Sequence, residues 1–217
     1  VDGAQHAADQ RRNEQVDPGI VLRPGRVSRQ AELGEYYIDF VPSLVNYSEY
    51  RYGVFDDAGV PLVGWGDDAY YNPVTIAQYG FIVHALASRG HRREVEPTLR
   101  APIDWFERSK EPAGDVVLWR QRAANPRYGL QAGFISAMAI GEAISFYLRA
   151  YQLLGDERLL ATGRAAYRFL RIPFREGGVR RSDANGHLWF EEYPSDPPSF
   201  VLNGFVYTLF GVCDLLR

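Results

Sequence analysis

The sequence predicts a mainly α protein: an α/α barrel or toroid of helical hairpins, incomplete at its C-terminus, with a short N-terminal extended or β segment. Three observations carry this. The runs "IAQYGFIVHAL", "AISFYLRAYQLL" and "FVLNGFVYTLFGVCDLL" are aromatic, rich in small residues and poor in charge, as helices with neighbours on nearly all sides should be. The first two are each followed by a more polar helical stretch, and a buried inner helix alternating with an amphipathic outer one marks a ring of hairpins. The third runs to Arg217 with no outer partner behind it, so the ring is expected to be completed elsewhere.

Taken in order, residues 1–30 are polar and lack apolar period, which predicts a flexible tail. Residues 31–70 alternate aromatic and polar positions between turn signals, with "DDAG" as a hairpin turn; an extended or hairpin segment packed on the barrel is expected. The barrel-like domain is expected over 71–217. Its first helix opens at Asn72 and Pro73 and closes at Gly90, since proline suits the first helical turn and glycine the end. A second helix is predicted over about 92–109, with Ile103, Trp105 and Phe106 on its apolar side, and "GDVVLWRQ" reads as a short extended piece. Residues 131–154 predict a long helix stopped by "GD", followed by an amphipathic helix to about Arg171. "EGGVRRSDANGHLWFEEY" reads as a hairpin turning at Asn185 and Gly186, and Ser199–Leu216 returns to helix.

A composition 46% hydrophobic and 14% aromatic supports a real core and excludes disorder of the whole chain. The formal net charge of −3 gives no global attraction to a polyanion, so no nucleic-acid partner is expected. Lys110 is the only lysine; the basic residues are otherwise arginines, whose planar fork suits carboxylates or sulfates, although a biased composition is the more ready account of them. With Cys213 alone, neither an intrachain disulfide nor a thiolate metal cluster can form. No apolar run approaches the roughly 18 residues of a membrane span, and the start lacks the apolar core of a signal peptide. No membrane partner is expected, and the compartment is left open.

Chemistry concentrates in "HLWFEEYPSDPPSFVLNGF", where Glu191, Glu192 and Tyr193 sit among aromatic residues. Neighbouring side chains on an extended segment point to opposite faces, so only one carboxylate should enter a pocket. The other reading has the pair capping the helix that follows. Aromatic surroundings would raise a carboxyl pKa toward neutrality by desolvation, as an acid-base group requires. Asn203, inside an apolar helix, is either a satisfied buried amide or a substrate contact. Gln78 and Tyr79 on the first inner helix, and Trp65 before it, are candidates to line a sugar cleft. Arg120 with Arg122, or Arg180 with Arg181, could grip carboxylates bidentately. His84 reads as a core histidine, and Asp67 and Asp68 do not make a metal site.

Three ordered blocks carry a family resemblance: "GVPLVGWGDDAYYNPVTIAQYG"; "SAMAIGEAIS" with "RAY"; and "WFEEYPSDPPSFVLNGFVYTLFGVCDLL". Together, over about residues 58–217, they resemble D-glucuronyl C5-epimerases of heparosan and heparan-type polysaccharides, and residues 133–217 resemble that family's C-terminal domain. The resemblance implies an α/α barrel that inverts C5 of glucuronate to iduronate within a polymer, without a cofactor, with an acidic polysaccharide as partner and a homodimer as an open assembly. It assigns the active-site glutamate and tyrosine to Glu192 and Tyr193, and a substrate contact to Asn203. Glu191, Arg180, Gln78, Tyr79 and Trp65 complete the candidate substrate-binding set. Where the family carries tyrosines this chain has Asn72 and His84, and the family's further catalytic tyrosine belongs to a segment downstream of Arg217. The alternatives are a uronate lyase, which starts from the same C5 proton abstraction, a hydrolase on a similar barrel, for which an adjacent carboxylate pair is too close, and a non-catalytic glycan-binding domain.

Overall fold

A computed structural model describes residues 23–30, 32–43, 54–64 and 66–217. Residues 1–22 of the expected tail lie outside this set. Arg23–Pro24 (β1) pairs antiparallel with Ile38–Asp39 (β2). The "DDAG" turn forms: Asp56 accepts the Gly59 amide at 3.0 Å, Gly59 takes φ 84°, and Phe55 bridges to Pro61.

Helix α1, Pro73–Leu86, starts where its sequence signals place it. Asn72 caps it by accepting the Val74 N–H at 3.0 Å, and Pro73 occupies the first helical position. It continues through a wider turn, Ala87–His91, in which Gly90 takes φ 105°. The second helix expected over 92–109 is broken into a single turn, α2 (Arg92–Val95), a 3₁₀ turn at Glu96–Leu99, and α3 (Arg100–Ser109). Pro97 explains the break, because it has no N–H to give and its ring crowds the preceding turn. Strands β3 (Glu111–Ala113) and β4 (Val116–Leu118) form a hairpin.

The long helix α4 spans Ala137–Leu154, starting six residues later than the 131–154 expectation. Gly133 at φ 96° instead donates its N–H to the Gln121 carbonyl, the Gln121 N–H donates to the Phe134 carbonyl, and Ser136 caps the helix through the Ala139 N–H. Gly155 at φ 69° closes α4, Asp156 caps α5 (Glu157–Leu170), and strands β5 (Arg180–Ser182) and β6 (Leu188–Phe190) make the expected hairpin. Its turn is organised by Asp183, which accepts the amides of Asn185 and His187, with Gly186 at φ 85°. Helix α6 spans Leu202–Leu215.

The protein is mainly α, with α4 at its centre, buried from Ala137 to Ala150 and packed on α1, α5 and α6. The close crossings use glycine where no side chain fits. A Cβ on Gly80 of α1 would lie 2.3 Å from the Phe146 ring, and one on Gly211 of α6 would lie 2.2 Å from the Gly141 carbonyl of α4. Helix α6 differs from the expectation for a third fully inner helix: it buries one face, through Gly204, Thr208, Gly211 and Asp214. Those small residues are what let it lie so close to α4.

A buried ion pair fastens three elements. Arg149 of α4 donates to Asp214 of α6 at 2.5 Å, and Ser145 donates to the same carboxylate at 2.6 Å. The remaining guanidinium donors reach the carbonyls of Gly34 and Glu35, and the Tyr36 ring lies 5.3 Å from the cation. Desolvating two charges is costly, so such a pair is tolerated only with its other donors satisfied. Among the described residues no helix is long and apolar enough to cross a membrane.

Candidate functional site

The segment after β6 is held at both sides of one residue. The Glu191 N–H donates to the Val179 carbonyl at 2.8 Å, and the Glu191 carbonyl accepts from the Ala137 N–H at the start of α4 at 3.0 Å. That clamp leaves the two neighbouring glutamates facing different surroundings. The Glu191 side chain is fully buried: Oε2 accepts from the Ser199 hydroxyl at 2.6 Å and from the Phe200 N–H at 3.1 Å, while Oε1 lies 3.5 Å from Arg181 Nε. It ties the segment to the approach of α6.

Glu192 lines a cleft of about 300 Å³ together with Tyr193, Asn203, Asn72, Gln121 and Ser136. Its side chain is packed against Gly204, at the start of α6, so closely that a Cβ there would meet Glu192 Oε2 at 2.2 Å. Burial pushes the Glu192 carboxyl above the usual carboxylate range; the Tyr193 hydroxyl and the Gly204 amide, both facing it, pull it part of the way back. Glu192 Oε2 is buried without a partner in hydrogen-bonding geometry among the described residues. This is an under-satisfied carboxylate, which in a cleft is a candidate proton acceptor.

Tyr193 stacks on Tyr128, with ring centroids 4.5 Å apart and planes at 13°, and Arg127 lies over the outer face of Tyr128. Burial first, and the Glu192 charge second, push its phenol well up. Tyr193 therefore keeps its proton and faces Glu192 as a donor. Asn203 is exposed at the start of α6, aimed at the cleft rather than satisfied in the core.

The remaining sequence candidates fall elsewhere. Gln78 is buried in α1, where Nε2 donates to Glu142 Oε1 at 2.8 Å. Tyr79 lines a separate hollow of about 520 Å³ with Phe55, Arg100 and Arg108. Arg180 lines a third, of about 460 Å³, with Arg175, Arg181 and Phe174. Trp65 lies outside the described residues. Arg120 is engaged by Glu111 and the Gly133 carbonyl. His84 is buried and held neutral, its pKa pulled down to about 3 by burial and then by the Arg149 charge. Among the described residues no group of His, Cys, Asp and Glu could hold a metal ion.

Gln121 and Ser136 reach the cleft, and Tyr128 backs its Tyr193, without having been singled out in the sequence. Ser136 carried a helix-cap signal, and Asn72 carried both a cap signal and a departure from the family wording. Nothing local marks Gln121 or Tyr128, which arrive through the Gln121–Gly133 backbone pairing.

Residues 114–217 match the family described as the D-glucuronyl C5-epimerase C-terminus. A D-glucuronyl C5-epimerase of Caenorhabditis elegans is 39% identical over 116 residues, covering 53% of this chain and 19% of that protein. An uncharacterized protein of Methanocaldococcus jannaschii is 31% identical over 101 residues, covering 45% of this chain and 33% of that one. The chain thus spans only a minor part of either relative. Glu192, Tyr193, Asn203, Gln121 and Ser136 all lie within the matched residues, and Asn72 lies outside them.

Proposed function

We propose, on the premise that this chain belongs through residues 114–217 to the D-glucuronyl C5-epimerase C-terminal family, that its Glu192 cleft inverts C5 of glucuronate within an acidic polysaccharide. The observation that carries the proposal is the meeting of Glu192, Tyr193 and Asn203 in one cleft, with the carboxyl raised by burial. In this reading α1, α4 and α6 are inner helices of an α/α barrel and present the cleft at one end.

The reaction needs a base strong enough to take a proton α to a carboxylate and an acid to return one from the opposite face. Glu192, desolvated and under-satisfied, takes the C5 proton and becomes the neutral acid its surroundings already favour. Tyr193, still protonated, donates to C5 from the other face, and solvent then takes the proton held by Glu192 and returns one to the phenolate. No bond other than C–H is broken, so the proton count closes without a cofactor. The charge that gathers on the substrate carboxylate during the step needs donors fixed in advance; the Asn203 and Gln121 amides are placed on the cleft to serve.

Incubation with heparosan in D2O, followed by NMR of the uronate, tests this. Deuterium is expected at C5 with the native chain and not with Glu192→Gln. Absence of exchange on every uronic polymer tried would overturn the proposal.

A further inference from the structure

The hollow that holds Arg180 lies on the other side of the Glu191 segment from the Glu192 cleft, and its construction is different. It is an open groove of about 460 Å³ whose lining includes Arg175, Arg180, Arg181, Leu188, Pro173 and Pro198, and no carboxylate. Arg181 is fixed: its guanidinium sits 3.3 Å from the Phe174 ring centroid, donates to the Ser195 carbonyl, and has its charge met by Glu191. Arg175 and Arg180 are exposed, and their side chains make no ion pair or hydrogen bond within the described residues. Their nearest acids in sequence are Glu176, which is exposed, and Asp183, which is engaged by Asn185 and His187; neither lines the groove.

In a chain of net charge −3, two unpaired arginines beside a third that is braced by an aromatic ring make a local cationic site. Guanidinium forks match carboxylate and sulfate oxygens bidentately. Between them, Leu188 is 49% exposed and the rings of Pro173 and Pro198 offer flat C–H surface. Charged forks beside flat aliphatic patches suit the two kinds of surface on an acidic sugar. A nucleic acid would ask for exposed aromatic rings to stack its bases, and the Phe174 face is already covered by Arg181.

We infer that the groove of Arg175, Arg180 and Arg181 is a second subsite, which takes the carboxylate or sulfate of another residue of the acidic polysaccharide whose reacting sugar occupies the Glu192 cleft. This rests on the proposed function for the identity of the polymer, but not for the binding itself. The two sites share one backbone segment: Arg181 contacts Glu191, and Glu192 follows it.

Calorimetric titration of the full chain with a heparosan decasaccharide, a heparin decasaccharide and an uncharged dextran of similar length tests the groove. The Arg175→Ala, Arg180→Ala double variant changes only exposed side chains and can be checked for fold by circular dichroism. It is expected to bind the acidic oligosaccharides about tenfold or more weakly, since each arginine lost removes charge-assisted hydrogen bonds. The larger loss, on heparosan or on heparin, assigns the groove to carboxylate or to sulfate. Unchanged affinity for both, equal binding of dextran, or tighter binding of single-stranded DNA at the same salt would each overturn the inference. Arginine-dependent binding without any C5 exchange would leave the groove standing while the epimerase proposal fell; exchange with arginine-independent binding would do the reverse.

Discussion

Glu191 and Glu192 are adjacent in sequence and both buried, yet one is held by partners on the approach to α6 and the other faces a cleft. Glu191 receives a hydroxyl and an amide on Oε2, while Oε1 has only the Arg181 charge 3.5 Å away and no hydrogen bond among the described residues. Glu192 lies against a glycine, with one oxygen orphaned and its proton affinity raised by burial. The difference is a matter of which side of a clamped backbone each faces, and it teaches that a buried carboxylate's surroundings, not its burial, separate a fastening from a candidate acid-base group. Glu191 fastens the approach to α6 without capping the helix, which has no side-chain cap, and the acid-base reading is proposed for Glu192 alone.

The contrast can be broken most severely at Glu191. Glu191→Ala strands Arg181 and frees the Ser199–Phe200 approach to α6, and a loss of about 3 kcal/mol is expected by urea denaturation. A loss below about 1 kcal/mol would show that Glu191 is no fastening. Gly204→Ala is next: its methyl would overlap Glu192 Oε2, so an overpacking loss of about 1–3 kcal/mol is expected, together with loss of C5 exchange as the carboxylate is displaced. Full exchange in a stable Gly204→Ala protein would mean the carboxylate position is immaterial. Tyr128→Ala removes the ring stacked on Tyr193 and should cost about 1 kcal/mol, with a lowered exchange rate at saturating substrate as its distinguishing readout.

The smallest effect has the opposite sign. The Glu192 carboxyl titrates higher in the folded chain than in the unfolded one, so folding favours its neutral form. At neutral pH the ionised group subtracts stability, and that penalty vanishes as pH falls through the folded value toward the ordinary 4.5. Glu192→Gln should therefore melt slightly above the native chain at neutral pH, with the gap closing in acid, while exchange is abolished. A variant less stable than native at neutral pH would contradict the under-satisfied state of this group.

Much of this was legible before any coordinates. Asn72 with Pro73, Gly155 with Asp156, and the Asn185–Gly186 turn fix elements through local backbone chemistry, and each acts where its sequence signal lies. The start of α4 was misjudged because apolar content continues through Phe134 and Ile135, while the Gly133 conformation and its pairing to Gln121 are non-local. The burial of α6 on one face only follows from the Gly141–Gly211 contact, which no periodicity announces. In the cleft, Glu192, Tyr193 and Asn203 are close in sequence and could be grouped from it; Gln121 and Tyr128 come from another segment and could not.

Helix α6 is best seen as a lever. Asp214 near one end is bolted to Arg149 and, through it, to Gly34 and Glu35, while Asn203 near the other end rides on the cleft. Eleven residues of helix separate bolt from tip, about 16 Å, with the Gly141–Gly211 contact as a fulcrum close to the bolt. A short arm at the bolt and a long arm at the tip magnify slack, so a small loosening of the Arg149–Asp214 pair would swing Asn203 by several times that amount. The amide proposed to meet a developing charge is thus aligned by a buried pair in the protein interior.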